Sequence, residues 1–222
     1  MIRDKAYREV GMVMPKVEPF EKHRDRYENW FERHKYAYLS ELEAVRKLLP
    51  KEGKGAEIGV GTGRFAAPLG IKLGVEPSKA MAEIARKRGI EVIEGVAENL
   101  PFPDESLDYL LMVTTICFVD DPEKALREAY RVLKPGGALI IGFVDRNSPI
   151  GRYYEEHREE SVFYRDARFF STEELLELLK KIGFKKFEIV QTLFHKLDEI
   201  KEVEPVKPGY GEGSFVVIKA VK

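Results

Sequence analysis

The sequence predicts an α/β protein with a largely parallel sheet, and three observations carry that reading. Between residues 56 and 144, short apolar runs alternate with segments of helical spacing, the pattern of successive βαβ units. The first apolar run ends in Glu57-Ile58-Gly59-Val60-Gly61-Thr62-Gly63, a glycine-rich turn that lets a backbone turn tightly and approach a ligand. The last two apolar runs, near 187–194 and 214–221, have no crossover helix between them and should pair antiparallel.

Taken in order, residues 1–18 read as an extension, and Met14, just before Pro15, is the expected initiator. Residues 19–49 read as one or two helices, because Tyr27, Trp30 and Phe31 fall at i, i+3, i+4 and Leu39, Leu42, Val45, Leu48 and Leu49 continue the spacing. Pro50 stops that run. The first strands are expected near 56–58, 73–75 and 91–94. Ser78 is positioned to cap a helix that ends at Gly89. A fourth strand, near 109–114, is apolar throughout, as burial on both faces requires. Asp121-Pro122 reads as a cap followed by a first-turn proline. The helix it opens should break at Lys134-Pro135-Gly136-Gly137, ahead of a fifth strand at 138–144. Residues 146–170 are polar, aromatic and irregular, and Ser171 with Glu174 forms a capping box for the next helix.

The glycine turn also carries chemistry. A helix leaving it at Arg64 would aim free N–H groups into the turn and favour an anion or an electron-rich group. Nineteen residues after Glu57 stands Glu76, an offset at which an acid commonly holds the two hydroxyls of a ribose. The site is therefore read as one for a nucleotide-type cofactor. A dinucleotide fingerprint would need its third glycine at position 64, which is Arg64, and no Gly-Lys-Ser/Thr follows for a phosphate loop.

The spacing acid-x-Gly-x-Gly-x-Gly resembles the first motif of the class I S-adenosylmethionine-dependent methyltransferases. Glu76-Pro77-Ser78 resembles the second motif, and 97–108, opening Ala97-Glu98-Asn99-Leu100-Pro101, the third. Arg131 to Gly137 is similar to a segment frequent in the quinone-biosynthesis branch. The resemblance covers roughly residues 20–220. It implies a Rossmann-like, doubly wound sheet of seven strands in the order 3-2-1-4-5-7-6, strand 7 antiparallel, beneath an N-terminal helical lid. It also implies S-adenosylmethionine as cofactor. On this resemblance Gly59, Gly61 and Gly63 would let the backbone approach the methionine part, and Glu57 would orient the loop or receive the amino group. Glu76 would accept the ribose hydroxyls, and Val75 and Pro77 would flank the adenine. Ala97 and Glu98 would reach the exocyclic amine, and Thr114 and Thr115 would line the floor. The chain departs from relatives in two places: Val96 stands where aspartate is frequent, and Ile116-Cys117-Phe118 where many carry a histidine. Cys117 reads as a buried small residue rather than a nucleophile.

The organisation expected is one domain over 19–222: a helical lid at 19–50, a cofactor half at 51–145, a substrate cap at 146–170 and a C-terminal half at 171–222. Between lid and cap the substrate-contact candidates are Tyr27, Trp30, Tyr153 and Glu156, with His157, Tyr154 and Glu155 as catalytic candidates. The cap's acidic residues beside its tyrosines suit a small amine, with cation–π help. The expected acceptor is thus a small molecule with an N or O nucleophile. A cofactor-binding sensor or scaffold without transfer is the second reading, and an oxidoreductase a distant third.

Composition sets the remaining bounds. A net charge of -1 gives no global attraction to nucleic acid or anionic membrane, and no basic stripe or RNA module appears. No run approaches the ~20 apolar residues of a bilayer span, and the N-terminus lacks a secretory core, so a cytoplasmic monomer or homodimer is expected. One cysteine and four scattered histidines show no metal-ligand spacing. Charged residues at 34%, with one glutamine and three asparagines, resemble proteins of hot-living organisms.

Overall fold

The computed structural model describes residues 17–222. The question of Met14 lies outside them. Three helices come first: α1 (Glu18–Lys22), α2 (Arg24–Arg33) and α3 (Lys35–Leu48). The sequence reading of one or two helices is corrected by breaks at His23 and His34, whose backbones leave helical geometry (ψ 29° and 42°). Then follow β1 (Gly55–Ile58), α4 (Ala66–Leu69), β2 (Leu73–Val75), α5 (Lys79–Lys87), β3 (Glu91–Ile93), β4 (Leu107–Val113), α6 (Pro122–Val132) and β5 (Leu133–Val144). The chain closes with α7 (Pro149–Glu156), α8 (Thr172–Ile182), β6 (Lys185–Thr192), β7 (Lys207–Pro208) and β8 (Phe215–Val221).

The strands form one sheet of eight in the order β3-β2-β1-β4-β5-β8-β6-β7. The first five are parallel, and β8 runs antiparallel between β5 and β6. With β8 as the seventh family strand, this is the expected order plus one edge. The extra strand, β7, is two residues of the connection between the last two apolar runs, paired antiparallel with Val190 and Gln191. The predicted break at Lys134–Gly137 is instead an irregularity inside β5: the register steps from Leu107↔Leu133 to Tyr109↔Ala138.

Local signals account for most boundaries. The Ser78 hydroxyl accepts from Met81 N–H, Asp121 from Lys124 N–H, and Ser171 and Glu174 form the capping box. The cap region holds more order than its composition suggested: Ser148 caps α7, with Pro149 in its first turn. That is the same cap-and-proline signal as Asp121-Pro122.

Alternate side chains of the central strands feed opposite layers. Leu111, Val113, Ile140 and Val217 pack with Phe31, Val45 and Leu48 of α2 and α3 on one face. Leu110, Met112, Leu139 and Ile218 pack with Leu126 of α6 and Leu175 and Leu179 of α8 on the other. The strand order reverses between β1 and β4, and at such a point the loops after two neighbouring strands diverge and open a crevice. No described helix is long and apolar enough to cross a membrane.

Candidate functional site

The crevice is a cavity of about 520 Å³ in the described structure. Its floor is the loop after β1 and the loop after β4. Gly59 and Gly61 have φ of 67° and 53°, a left-handed backbone that side chains rarely tolerate. Space forbids a side chain at Gly59 as well, since a Cβ there would lie 2.4 Å from Thr115 Cγ2. Thr114, at the end of β4, also has a positive φ of 45°. For a β-branched residue this is strained geometry, held by its surroundings.

The segment leaving the loop is a single four-residue turn, α4, containing Pro68 and closed by left-handed Gly70. It does not aim its N–H groups into the cavity, which corrects the sequence reading. Ala66 N–H serves the Glu57 carboxyl, which lies beneath the loop and does not line the cavity. Burial raises the Glu57 carboxyl well above the ordinary range, and one of its oxygens has no partner among the described residues. Gly63 also faces away from the cavity: a Cβ there would meet Ile90 Cδ1 at 2.5 Å, so its smallness serves packing against the residue ahead of β3.

Glu76 is buried at the end of β2 and closes the loop from below. Its two carboxylate oxygens accept from Gly61 N–H and Ser78 N–H, each at 2.9 Å. Burial pushes its pKa up to about 7, against the downward pull of those two bonds. Pro77, Ala97, Glu98, Thr114 and Thr115 join Gly59, Gly61 and Glu76 around this end, with Val75 and Val96 as apolar walls. Glu98 also accepts from Asp120 N–H at 2.8 Å, which ties the 97–99 turn to the start of α6.

The other end is roofed by the N-terminal helices and the 146–170 segment. Phe20 of α1 packs edge-on to Phe118 (5.2 Å) and against Phe163 (5.3 Å). The Tyr27 hydroxyl lies above Gly61, where a Cβ would meet it at 3.3 Å. Burial, then the charges of Glu57 and Glu76, raise that hydroxyl's pKa. The roof is tied down by Glu28 of α2, which accepts from Arg88 at 2.6 Å, Arg64 at 2.7 Å and the Thr62 hydroxyl. Burial opposes its ionisation, but these hydrogen bonds outweigh burial and hold the carboxyl down at about 2.

Tyr27, Trp30, Tyr153, Tyr154 and His157 all line the cavity, whereas Glu155 and Glu156 stand exposed on α7 and do not. The side-chain directions along α7 explain the split, because adjacent helical residues cannot all share one face. His157 stacks on Tyr153 (4.3 Å). Cys117 lies beneath, its thiol pushed up to about 12 by burial. Among the lining residues that sequence reasoning did not single out as contacts are Phe118, Tyr164 and Glu41. Glu41 left a signal, a carboxylate at the i+4 step between Ala37 and Val45 on the buried stripe of α3.

Comparison with known proteins places these features in a family. A family model described as a methyltransferase domain matches residues 56–141. A solved S-adenosylmethionine-dependent methyltransferase from Thermotoga maritima, described as a possible histamine N-methyltransferase, is 65% identical; the match covers 93% of this chain and 99% of that one, with a TM-score of 0.91. An uncharacterized protein of Methanocaldococcus jannaschii is 51% identical over 203 residues, 91% of this chain and 98% of the relative. Demethylmenaquinone methyltransferase of Chlorobaculum tepidum is 31% identical over 65% of this chain and 70% of its own length.

Proposed function

The chain belongs to the class I S-adenosylmethionine-dependent methyltransferases, and we propose that it methylates an N or O nucleophile of a small molecule, with small amines as the acceptor class. The observation that carries this is one continuous cavity. It joins the glycine loop and Glu76 at one end to an aromatic chamber under the N-terminal helices at the other. Its volume of about 520 Å³ is in the range of small-molecule sites. The Thermotoga relative, as a possible histamine N-methyltransferase, is in keeping with an amine acceptor.

The residues at the loop end fit the cofactor. Glu76 retains acceptor lone pairs beyond its two backbone bonds, as two ribose hydroxyls need. Val75, Pro77, Val96 and Ala97 form apolar walls suited to a base. Gly59 and Gly61 bare the backbone where the amino-acid part would approach. When bound, S-adenosylmethionine supplies a methyl group on a positively charged sulfur, already activated for in-line displacement.

The protein's share is then proximity, orientation and exclusion of water. The Phe20–Phe118–Phe163 roof and Tyr27 shield the reacting region. His157 and Tyr154 face the chamber as candidates to take a proton from an acceptor that must lose one. Glu155, outside the cavity, is not placed for that role. The test is calorimetric titration of the purified protein with S-adenosylmethionine and S-adenosylhomocysteine, followed by an acceptor panel. Tight binding lost in Glu76→Ala, with methyl transfer to a small amine or hydroxyl compound, is the expected outcome. Cofactor binding with no transfer to any panel member would turn the reading toward a sensor.

A further inference from the structure

Glu41 sits in the middle of α3 with 5% of its surface exposed, and it lines the acceptor chamber. It makes no hydrogen bond or ion pair to any described residue. The absence is unusual beside its neighbours. Ser40 both donates to Tyr36 O and accepts from Glu204 N–H, and the buried Glu76 holds two backbone N–H groups. Arg33 and His34 face the same cavity, yet neither pairs with Glu41. Among the described residues nothing but burial acts on its carboxyl, and burial raises it to about 8.

The surroundings are aromatic. Trp30, Tyr154 and Tyr164 line the chamber with it, and the Tyr154 and Tyr164 rings lie 4.8 Å apart. Glu41's charge is among the causes that raise both tyrosine hydroxyls, after burial in each case. Ring faces attract a cation and disfavour an anion. A buried carboxylate without a partner is costly, and a cationic ligand that arrives with its own charge removes the cost. An apolar body carrying a basic nitrogen satisfies both features at once.

We propose that Glu41 is the specificity-determining residue of the acceptor chamber: its carboxylate pairs with a protonated nitrogen of the acceptor, against walls formed by Trp30, Tyr154 and Tyr164. The proposal rests on the methyltransferase reading above and adds the residue that selects charge. It differs from the expectation for the acids of the cap, of which Glu155, Glu156 and Glu159 lie outside the cavity while Glu160 lines it.

The experiment is calorimetry in two stages. S-Adenosylhomocysteine is titrated first into wild type and Glu41→Gln. Each saturated protein is then titrated with histamine, tyramine and tryptamine, and with their neutral counterparts histaminol, tyrosol and tryptophol. In wild type at least one amine should bind, at least about tenfold more tightly than its alcohol, as a desolvated ion pair requires. In Glu41→Gln that preference should vanish while the alcohol's affinity stays within about twofold. Glu41→Asp, which keeps the charge on a shorter arm, should retain a reduced preference. Equal affinity for amine and alcohol in wild type would overturn the proposal. So would a preference that survives Glu41→Gln, or S-adenosylhomocysteine binding with no amine bound. Failure of S-adenosylhomocysteine itself to bind would overturn the cofactor reading first, and this proposal with it.

Discussion

Glu41→Gln should make the protein more stable, and by an amount that grows with pH. The folded chain holds the Glu41 proton until about pH 8, because burial penalises the charged form; the unfolded chain releases it above 4.5. Folding must therefore take up a proton throughout that window, and wild-type stability falls as pH rises through it. Each pH unit above 4.5 adds about 1.4 kcal/mol to the cost, which reaches about 3 kcal/mol near pH 7 and levels off near 8. Glutamine has nearly the same shape and no proton to exchange. Below pH 4.5 the two proteins should differ little, since both then bury a neutral group. The assay is guanidinium unfolding of both proteins across that pH range, read as a difference so that Glu57 and Glu76, present in both, cancel. A difference constant with pH, or one favouring wild type at high pH, would refute the account of a buried carboxyl without a partner among the described residues. A cost of this size, kept in a core helix, is the trade expected where binding needs a strained or desolvated group.

Three other outcomes follow from the same geometry. Affinity for S-adenosylhomocysteine should fall about tenfold between pH 8 and 6, because Glu76, raised to about 7, must be ionised to accept ribose hydroxyls, and Glu76→Gln should bind weakly without that dependence, as calorimetry across pH will show. Glu28→Gln should cost about 2 kcal/mol by leaving Arg64 and Arg88 poorly matched, with Trp30 fluorescence reporting a loosened α2; wild type should lose the same contribution as pH falls from 4.5 toward 2, and an unchanged denaturation midpoint would remove Glu28 as the roof's anchor. Thr114→Asn should raise stability by about 1 kcal/mol in urea unfolding, since asparagine accepts the left-handed backbone that threonine resists.

Much of the fold and of the glycine-loop end of the cavity was legible in the chain because their causes are local. Strand direction, parallel or antiparallel, followed from which apolar runs had helices between them, while the strand order came from the family resemblance. Ser78, Asp121-Pro122 and Ser171 with Glu174 marked helix starts, since a cap satisfies N–H groups only three residues away. Gly59 and Gly61 are glycine for the conformation of their own backbone. Glu76 stands where one βαβ unit brings the second strand beside the first, a distance the unit itself imposes. The Ser148-Pro149 cap of α7 was equally local and was passed over because the segment around it looked irregular.

The aromatic end of the cavity was decided only by tertiary structure. Glu41, Trp30, Tyr154 and Tyr164 lie far apart in sequence and meet because α2, α3 and the 146–170 segment converge above the reversal point of the sheet. Periodicity shows that a helix has an apolar face but not what that face meets, so Glu41 could be seen on a buried stripe without its chamber being visible. Glu155 and Glu156 point outward and Tyr154 inward by one helical step, a choice made by packing. Gly63 shares the motif of Gly59 and Gly61 yet answers to Ile90. Likewise Glu28 is one acid among many until the fold places Arg64 and Arg88 against it. The sequence by itself determined the scaffold and the glycine loop, where chain geometry and spacing suffice. The fold decided which side chains face the chamber under the N-terminal helices, because burial and pairing across distant segments are properties of the packed whole.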